Sequence, residues 1–269
     1  MKTKLIVLSL YTAIALGGHS ASSATFTFDS ATPGSITDGN GLGTGFTHRL
    51  PGSGSGISAN DSNLTLDTAN GRLLFTSARA DFNATGFGRN LAALDAPSFL
   101  LSGIGTGDFE IEAHFSNINV DDLSDQLGIF AGASVDNLIR AGAVEGGFGQ
   151  YDSFFTYSFN GMDQNPSLGV LLPAFHDAIF ELGRASGTWY FRWQILDTPA
   201  SGSVNFTAPS LDSQTDLYVG IFNNDARNFT PRTASVDYVS VVVPEPTAGV
   251  LLFCGTAFCL RWRSPNHKS

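Results

Sequence analysis

Between residues 25 and 243 apolar and polar side chains alternate in twos along most of the chain. That period marks strands, because successive side chains of an extended backbone point to opposite faces. It predicts at least eleven strands, over 25–28, 63–67, 72–77, 108–115, 127–131, 137–143, 153–159, 179–184, 188–196, 216–222 and 235–243. No stretch of this body keeps an apolar stripe at helical spacing over the ~11 residues that a capped helix needs. Gly, Asn and Asp punctuate the strands, as at Asn70-Gly71, Asn160-Gly161, Ser201-Gly202 and Asn223-Asn224-Asp225. Such turn chemistry at hairpin spacing predicts one all-β domain, an antiparallel β-sandwich.

Two strands define its faces. In 108–115, Phe109, Ile111, Ala113 and Phe115 share one side, and Asp108, Glu110, Glu112 and His114 share the other. In 188–196, Trp189, Phe191, Trp193 and Ile195 lie opposite Tyr190, Arg192 and Gln194. One face belongs to the core and one to water or a ligand. Trp189, Phe191, Trp193, Phe109, Ile111 and Ile129 are the expected core. The glycine-rich stretch 41–56 reads as a long loop over a sandwich edge.

Both ends break this pattern. Lys2 and Lys4 precede an apolar run over 5–16, and Ser20-Ala21-Ser22-Ser23-Ala24 follows. Positive start, short apolar core and small-residue exit make a secretory signal peptide over 1–24, cut after Ala24. At the other end Val243-Pro244-Glu245-Pro246 leads into an apolar segment, 247–260, and then Arg261-Trp262-Arg263. Proline removes a ladder donor and ends the last strand. The segment is shorter than the ~20 residues of an ordinary spanning helix, and its basic end holds the tail on the cytoplasmic side. A plain membrane anchor has the same elements.

The order Pro-Glu-Pro, apolar segment, arginine end resembles the PEP-CTERM sorting signal of Gram-negative bacteria. The resemblance covers 243–263, with Val243, Pro244, Glu245, Pro246, Arg261 and Arg263 as its signal residues. It implies a sorting helix within 244–269, recognition by an exosortase-type membrane transpeptidase, a transient inner-membrane anchor, and release to the outer surface or extracellular matrix.

Within the body, Gly107-Asp108-Phe109-Glu110-Ile111-Glu112, Gln126-Leu127-Gly128-Ile129-Phe130-Ala131, Leu217-Tyr218-Val219-Gly220-Ile221-Phe222 and Ala234-Ser235-Val236-Asp237-Tyr238-Val239 together resemble a concanavalin A-like or laminin-G-like jelly roll. The likeness spans roughly 60–243 and implies the fold; lectins, glycanases, adhesive modules and spacers all use it.

Charge narrows the partners. Residues 25–243 hold nine Arg, no Lys and 23 acidic residues, a net of −14. Such a body is a poor partner for nucleic acid or an anionic membrane. Both cysteines, Cys254 and Cys259, fall in the C-terminal apolar segment. A disulfide framework, a cysteine zinc site and a cysteine nucleophile are thereby excluded from the body.

Three chemistries remain to place. Glu110 and Glu112 are two apart on one strand face, about 6.7 Å at Cα, near enough for the ~5–5.5 Å carboxyl spacing of a retaining glycosidase. Two solvated strand carboxylates read the same. Asn119, Asp121, Asp122 and Asp125 gather hard oxygen donors between two strands, a candidate for Ca²⁺, although an acidic turn without metal has the same composition. Sugar binding needs an aromatic platform with polar neighbours, which Tyr190, Arg192 and Gln194 offer, with Tyr157 expected nearby. The expectation is an exported, non-catalytic surface or matrix protein that binds exopolysaccharide. A purely structural surface protein and a glycoside hydrolase are the alternatives.

Overall fold

The computed structural model describes residues 22–50, 61–77, 96–120, 125–134, 137–147, 150–159, 162–165, 170–225 and 231–244. They belong to the unit Ser22–Pro244. The expected signal core and sorting helix lie outside the described residues.

In chain order the strands are β1 (Ser22–Phe26), β2 (His48–Arg49), β3 (Leu64–Asp67), β4 (Arg72–Thr76), β5 (Pro97–Leu101), β6 (Phe109–Ser116), β7 (Asp125–Ser134) and β8 (Asn137–Gly147). Then come β9 (Gln150–Phe159), β10 (Met162–Asn165), β11 (Val170–Pro173), β12 (Asp177–Ala185), β13 (Thr188–Ile195), β14 (Ala200–Phe206), the single-turn helix α1 (Pro209–Asp212), β15 (Leu217–Asp225) and β16 (Thr233–Val243). The first sheet runs β14-β13-β12-β6-β16-β4-β3, with β1 also on β16; the second runs β10-β9-β8-β7-β15-β5-β2, with β11 on β9. All these pairings are antiparallel, and the two sheets enclose one core: a β-sandwich.

The core comes from the phase the sequence shows. Phe109, Ile111, Ala113 and Phe115 of β6 meet Trp189, Phe191, Trp193 and Ile195 of β13 in a buried cluster with Leu127, Ile129, Val219 and Ile221 of the second sheet. Phe26 of β1 stacks on Phe99 of β5 with centroids 4.6 Å apart, joining the sheets at the chain's start.

One charge is buried beside this core. Arg184 on β12 is 1% exposed. Its guanidinium donates to the carbonyls of Gly105 and Gly107 and lies 3.3 Å from Asp212 of α1. The Trp189 indole N–H donates to the same Asp212 oxygen at 2.7 Å. A planar fork with five donors can satisfy carbonyls and a carboxylate together.

All eleven expected strands are present, with ends moved by a few residues. Two expected separators are strand instead. Ser201-Gly202 lies inside β14, where Gly202 pairs with Trp193 and the indole occupies the space of a Cβ. Asn223-Asn224-Asp225 completes β15, and the Asn223 amide donates to the Phe75 carbonyl at 2.7 Å. Asn70-Gly71 is a turn, with Gly71 at φ 63°. The glycine-rich 41–56 is not all loop. Thr37 bridges Gly43, Thr44 bridges Thr32, and His48–Arg49 is β2.

Candidate functional site

The outward face of the first sheet follows from register. Ser203, Arg192, Glu181, Glu112 and Ser240 line up across β14, β13, β12, β6 and β16. One flanking row holds Ser201, Gln194, Ile179 and His114, and the other Asn205, Tyr190, Gly183 and Glu110. All are out of phase with the core positions and so share the outer side. A groove of about 410 Å³ opens here between Glu112, Glu181, Arg192, Gln194, Ser201 and Ser203. A depression of about 600 Å³ adjoins it through Gln194 and Ser201 and ends at Leu196 and Pro199.

The carboxylates are held by tyrosines. Tyr190 donates to Glu110 Oε2 at 2.8 Å, and Tyr238 donates to Glu112 Oε1 at 2.8 Å. Burial and these bonds push both phenols above their ordinary range, so they remain donors. Arg192 pairs with Glu181. Burial, and then the neighbouring Glu110 carboxylate, nevertheless push Glu181 up to about 7. Near neutrality it is partly protonated.

Beyond this trio, His114 Nε2 lies 2.6 Å from Asp177 and Nδ1 lies 3.3 Å from Asp237. A register shift between Val236 and Tyr238 makes Asp237 a bulge residue on β16. The bulge re-aims the side chain toward the histidine.

The structure brings Tyr190, Arg192 and Gln194 together and corrects the rest of the expected sugar platform. Tyr190 is 7% exposed, and the Arg192 guanidinium lies 4.2 Å from its ring centroid. Arginine already covers the ring, so it is a spacer rather than a stacking surface. Tyr157 belongs to β9 of the second sheet, away from this face.

The acidic stretch is divided. Asn119 is exposed after β6, whereas Asp125 is buried at the start of β7, opposite Asp225. Asp121 and Asp122 lie outside the described residues. Among the described residues no group of three or more His, Cys, Asp or Glu is placed to hold a metal. Val243 ends β16 and Pro244 follows it, exposed. Glu245, Pro246, Arg261 and Arg263 lie outside the described residues.

Glu181, Tyr238, Ser201 and Ser203 were not among the expected site residues. Glu181 sits on the polar phase of 179–184, a signal open to reading. The serines were hidden by the turn-like Ser201-Gly202 pair.

No family model and no curated protein matches this sequence. Solved structures do resemble it. The GH43 protein BlXynB of Bacillus licheniformis matches 81% of this chain with 39% of its own, at 14% identity and a TM-score of 0.58. The xylan β-1,4-xylosidase of Bacillus halodurans matches 66% with 34% of its own, at 10% and 0.54. The CBM2 module of the evolved Dit of Lactobacillus casei BL23 phage J-1 matches 84% with 98% of its own, at 13% and 0.50. The chain thus spans little more than a third of the two enzymes and nearly all of the module. At these identities the likeness defines the class, an antiparallel β-sandwich, and nothing finer.

Proposed function

We propose that this is an exported surface or matrix protein that binds an exopolysaccharide on the outer face of its first sheet, without catalytic turnover. The observation that carries the reading is the groove. Arg192, Gln194, Ser201 and Ser203 present donors and acceptors beside carboxylates fixed by Tyr190 and Tyr238. A sugar's ring hydroxyls need such alternating partners. Glu110 and Glu112 each already accept a tyrosine hydrogen bond, which suits fixed recognition better than proton transfer. Two structural neighbours, a xylosidase and a CBM2 module, agree with a sugar ligand. Within the sandwich class the chain reads as a concanavalin A-like jelly roll.

Export rests on the ends. A signal peptide cut after Ala24 would leave Thr25 and Phe26 of β1, which carry the bond to Ser240 Oγ and the stack on Phe99. The segment resembling PEP-CTERM would anchor the chain until an exosortase-type enzyme cuts near Pro244–Pro246.

Calorimetric titration with exopolysaccharide extracted from the producing cells tests the binding. Saturable heat, lost in R192A with Q194A, is expected; inert behaviour would leave a purely structural protein. Mass spectrometry of the extracellular form tests the sorting. A species from Thr25 to about Val243 is expected, and an intact 261–269 would refute it.

One observation favours a second reading, glycoside hydrolysis. Glu181 faces Glu112 across the ladder, and burial and the Glu110 carboxylate push it above the ordinary carboxylate range, the kind of separation between neighbouring acids that such enzymes use. Reducing-sugar release that disappears in E181Q would establish it in place of the first.

A further inference from the structure

The two edges of the first sheet are treated differently. At β3 the outward backbone groups are already taken. The Leu66 N–H donates to Asp38 Oδ2 at 2.7 Å, and the Leu64 carbonyl accepts from the Gly39 N–H at 2.9 Å. At β14, seven residues pair in unbroken register with β13 on one side, and no described strand lies on the other. Natural sheets blunt such edges with lysine, proline, inward charges or bulges. The β14 sequence, Ala-Ser-Gly-Ser-Val-Asn-Phe, has none of these.

We propose that β14 pairs antiparallel with the β14 of a second copy of this chain, about a two-fold axis at Ser203. The pattern of sizes selects this partner and this register. Turning the strand on itself about Ser203 sets Gly202 against Val204 and Ala200 against Phe206. Each larger residue on the half-buried side meets a small one. On the exposed side Ser201 faces Asn205 and Ser203 faces Ser203, a row of neutral groups that can hydrogen-bond. Charge agrees. A body of net −14 repels its own copies broadly, but this edge is uncharged, so the two meet where repulsion is least.

The pairing also completes the site. Ser201 and Ser203 form the last wall of the groove, and a second β14 would continue that wall into the partner's own groove. Two sites would then lie in one continuous sheet face. A single strand pair buries less than the ~1,200 Å² of a stable interface, so the dimer is weak and concentration-dependent.

Sedimentation velocity of the full chain over a concentration series, without glycan, reads the association. S203K sets two lysines face to face at an exposed position and is expected to weaken the dimer about fivefold, with an unchanged unfolding midpoint. Register is read by cross-linking in a C254S/C259S background, because facing residues lie about 4.5–5.5 Å apart at Cα, within disulfide range. Under mild oxidation S203C is expected to cross-link to itself. S201C and N205C are expected to cross-link when mixed and not separately. A monomer at every concentration, or cross-links in any other register, would overturn the proposal. None of these outcomes depends on glycan binding, so either reading can fail alone.

Discussion

The hydroxyl of Tyr190 stands where Gly183 leaves room for it, 2.6 Å from the position of a Cβ on that glycine. Gly183 lies between Tyr190 and Glu110 in the ladder, so a missing side chain on β12 lets β13 reach β6. The same Cβ would stand 2.4 Å from the Phe109 carbonyl oxygen, so G183A is expected to crowd the β6 backbone as well as displace the phenol from Glu110, and to cost about 3 kcal/mol or more by overpacking. Y190F, which keeps the ring and loses the hydroxyl, is expected to cost about 1.5–3 kcal/mol, the range for a bond to a charged group. Urea unfolding of both variants checks the pair.

Glu181 sets a pH dependence. Its folded-state value of about 7 lies above its ordinary 4.5. Between those two values the folded chain holds more of this proton than the unfolded chain. The contribution to stability is therefore full below pH 4.5 and is lost as pH rises to about 7. Wild type is expected to gain stability on acidification across that window, and E181Q to show a flatter profile. Thermal midpoints measured from pH 8 to pH 5 read the difference. An equal slope in both proteins would remove Glu181 as the cause.

Arg184 is expected to be the least replaceable charge in the sandwich. R184A leaves the Gly105 and Gly107 carbonyls without their Arg184 donor, while Asp212 keeps the bond from the Trp189 indole. Each buried acceptor left unpaired costs about 1–3 kcal/mol, whereas the partly exposed Asp212 can turn to water. R184K keeps the charge but not the fork, and is expected to recover little of that loss. Denaturant midpoints of the two variants give the comparison.

Much of the architecture was legible because period 2 is a local property. Phe109, Ile111, Trp189 and Phe191 declare their face within their own strands. Strands with small or polar residues did not declare themselves. β14 is marked by Ser, Gly and Asn, and only its pairing with Trp193 makes Gly202 a strand residue. The site was half legible for the same reason. Alternation puts Glu110, Tyr190, Arg192 and Gln194 on outer faces. It does not say that β12 lies between β6 and β13, which is what brings Glu181 into contact with Glu110 and Arg192. Nor does it say that Arg192 will fold over Tyr190 and cover the ring. Those are relations across the sheet, set by strand order.

Strand order has one more result, in mechanics. β16 lies inside the first sheet, laddered to β6, β4 and β1, and Val243 is its last residue before Pro244. A pull on the chain at Pro244 enters the sandwich along the axis of an interior strand. Antiparallel ladder bonds run perpendicular to that axis, so they are loaded in shear and must yield together. A chain leaving from β14 would instead be peeled from the edge, one bond at a time. Tension applied at Pro244 would thus load the ladders of β16 together.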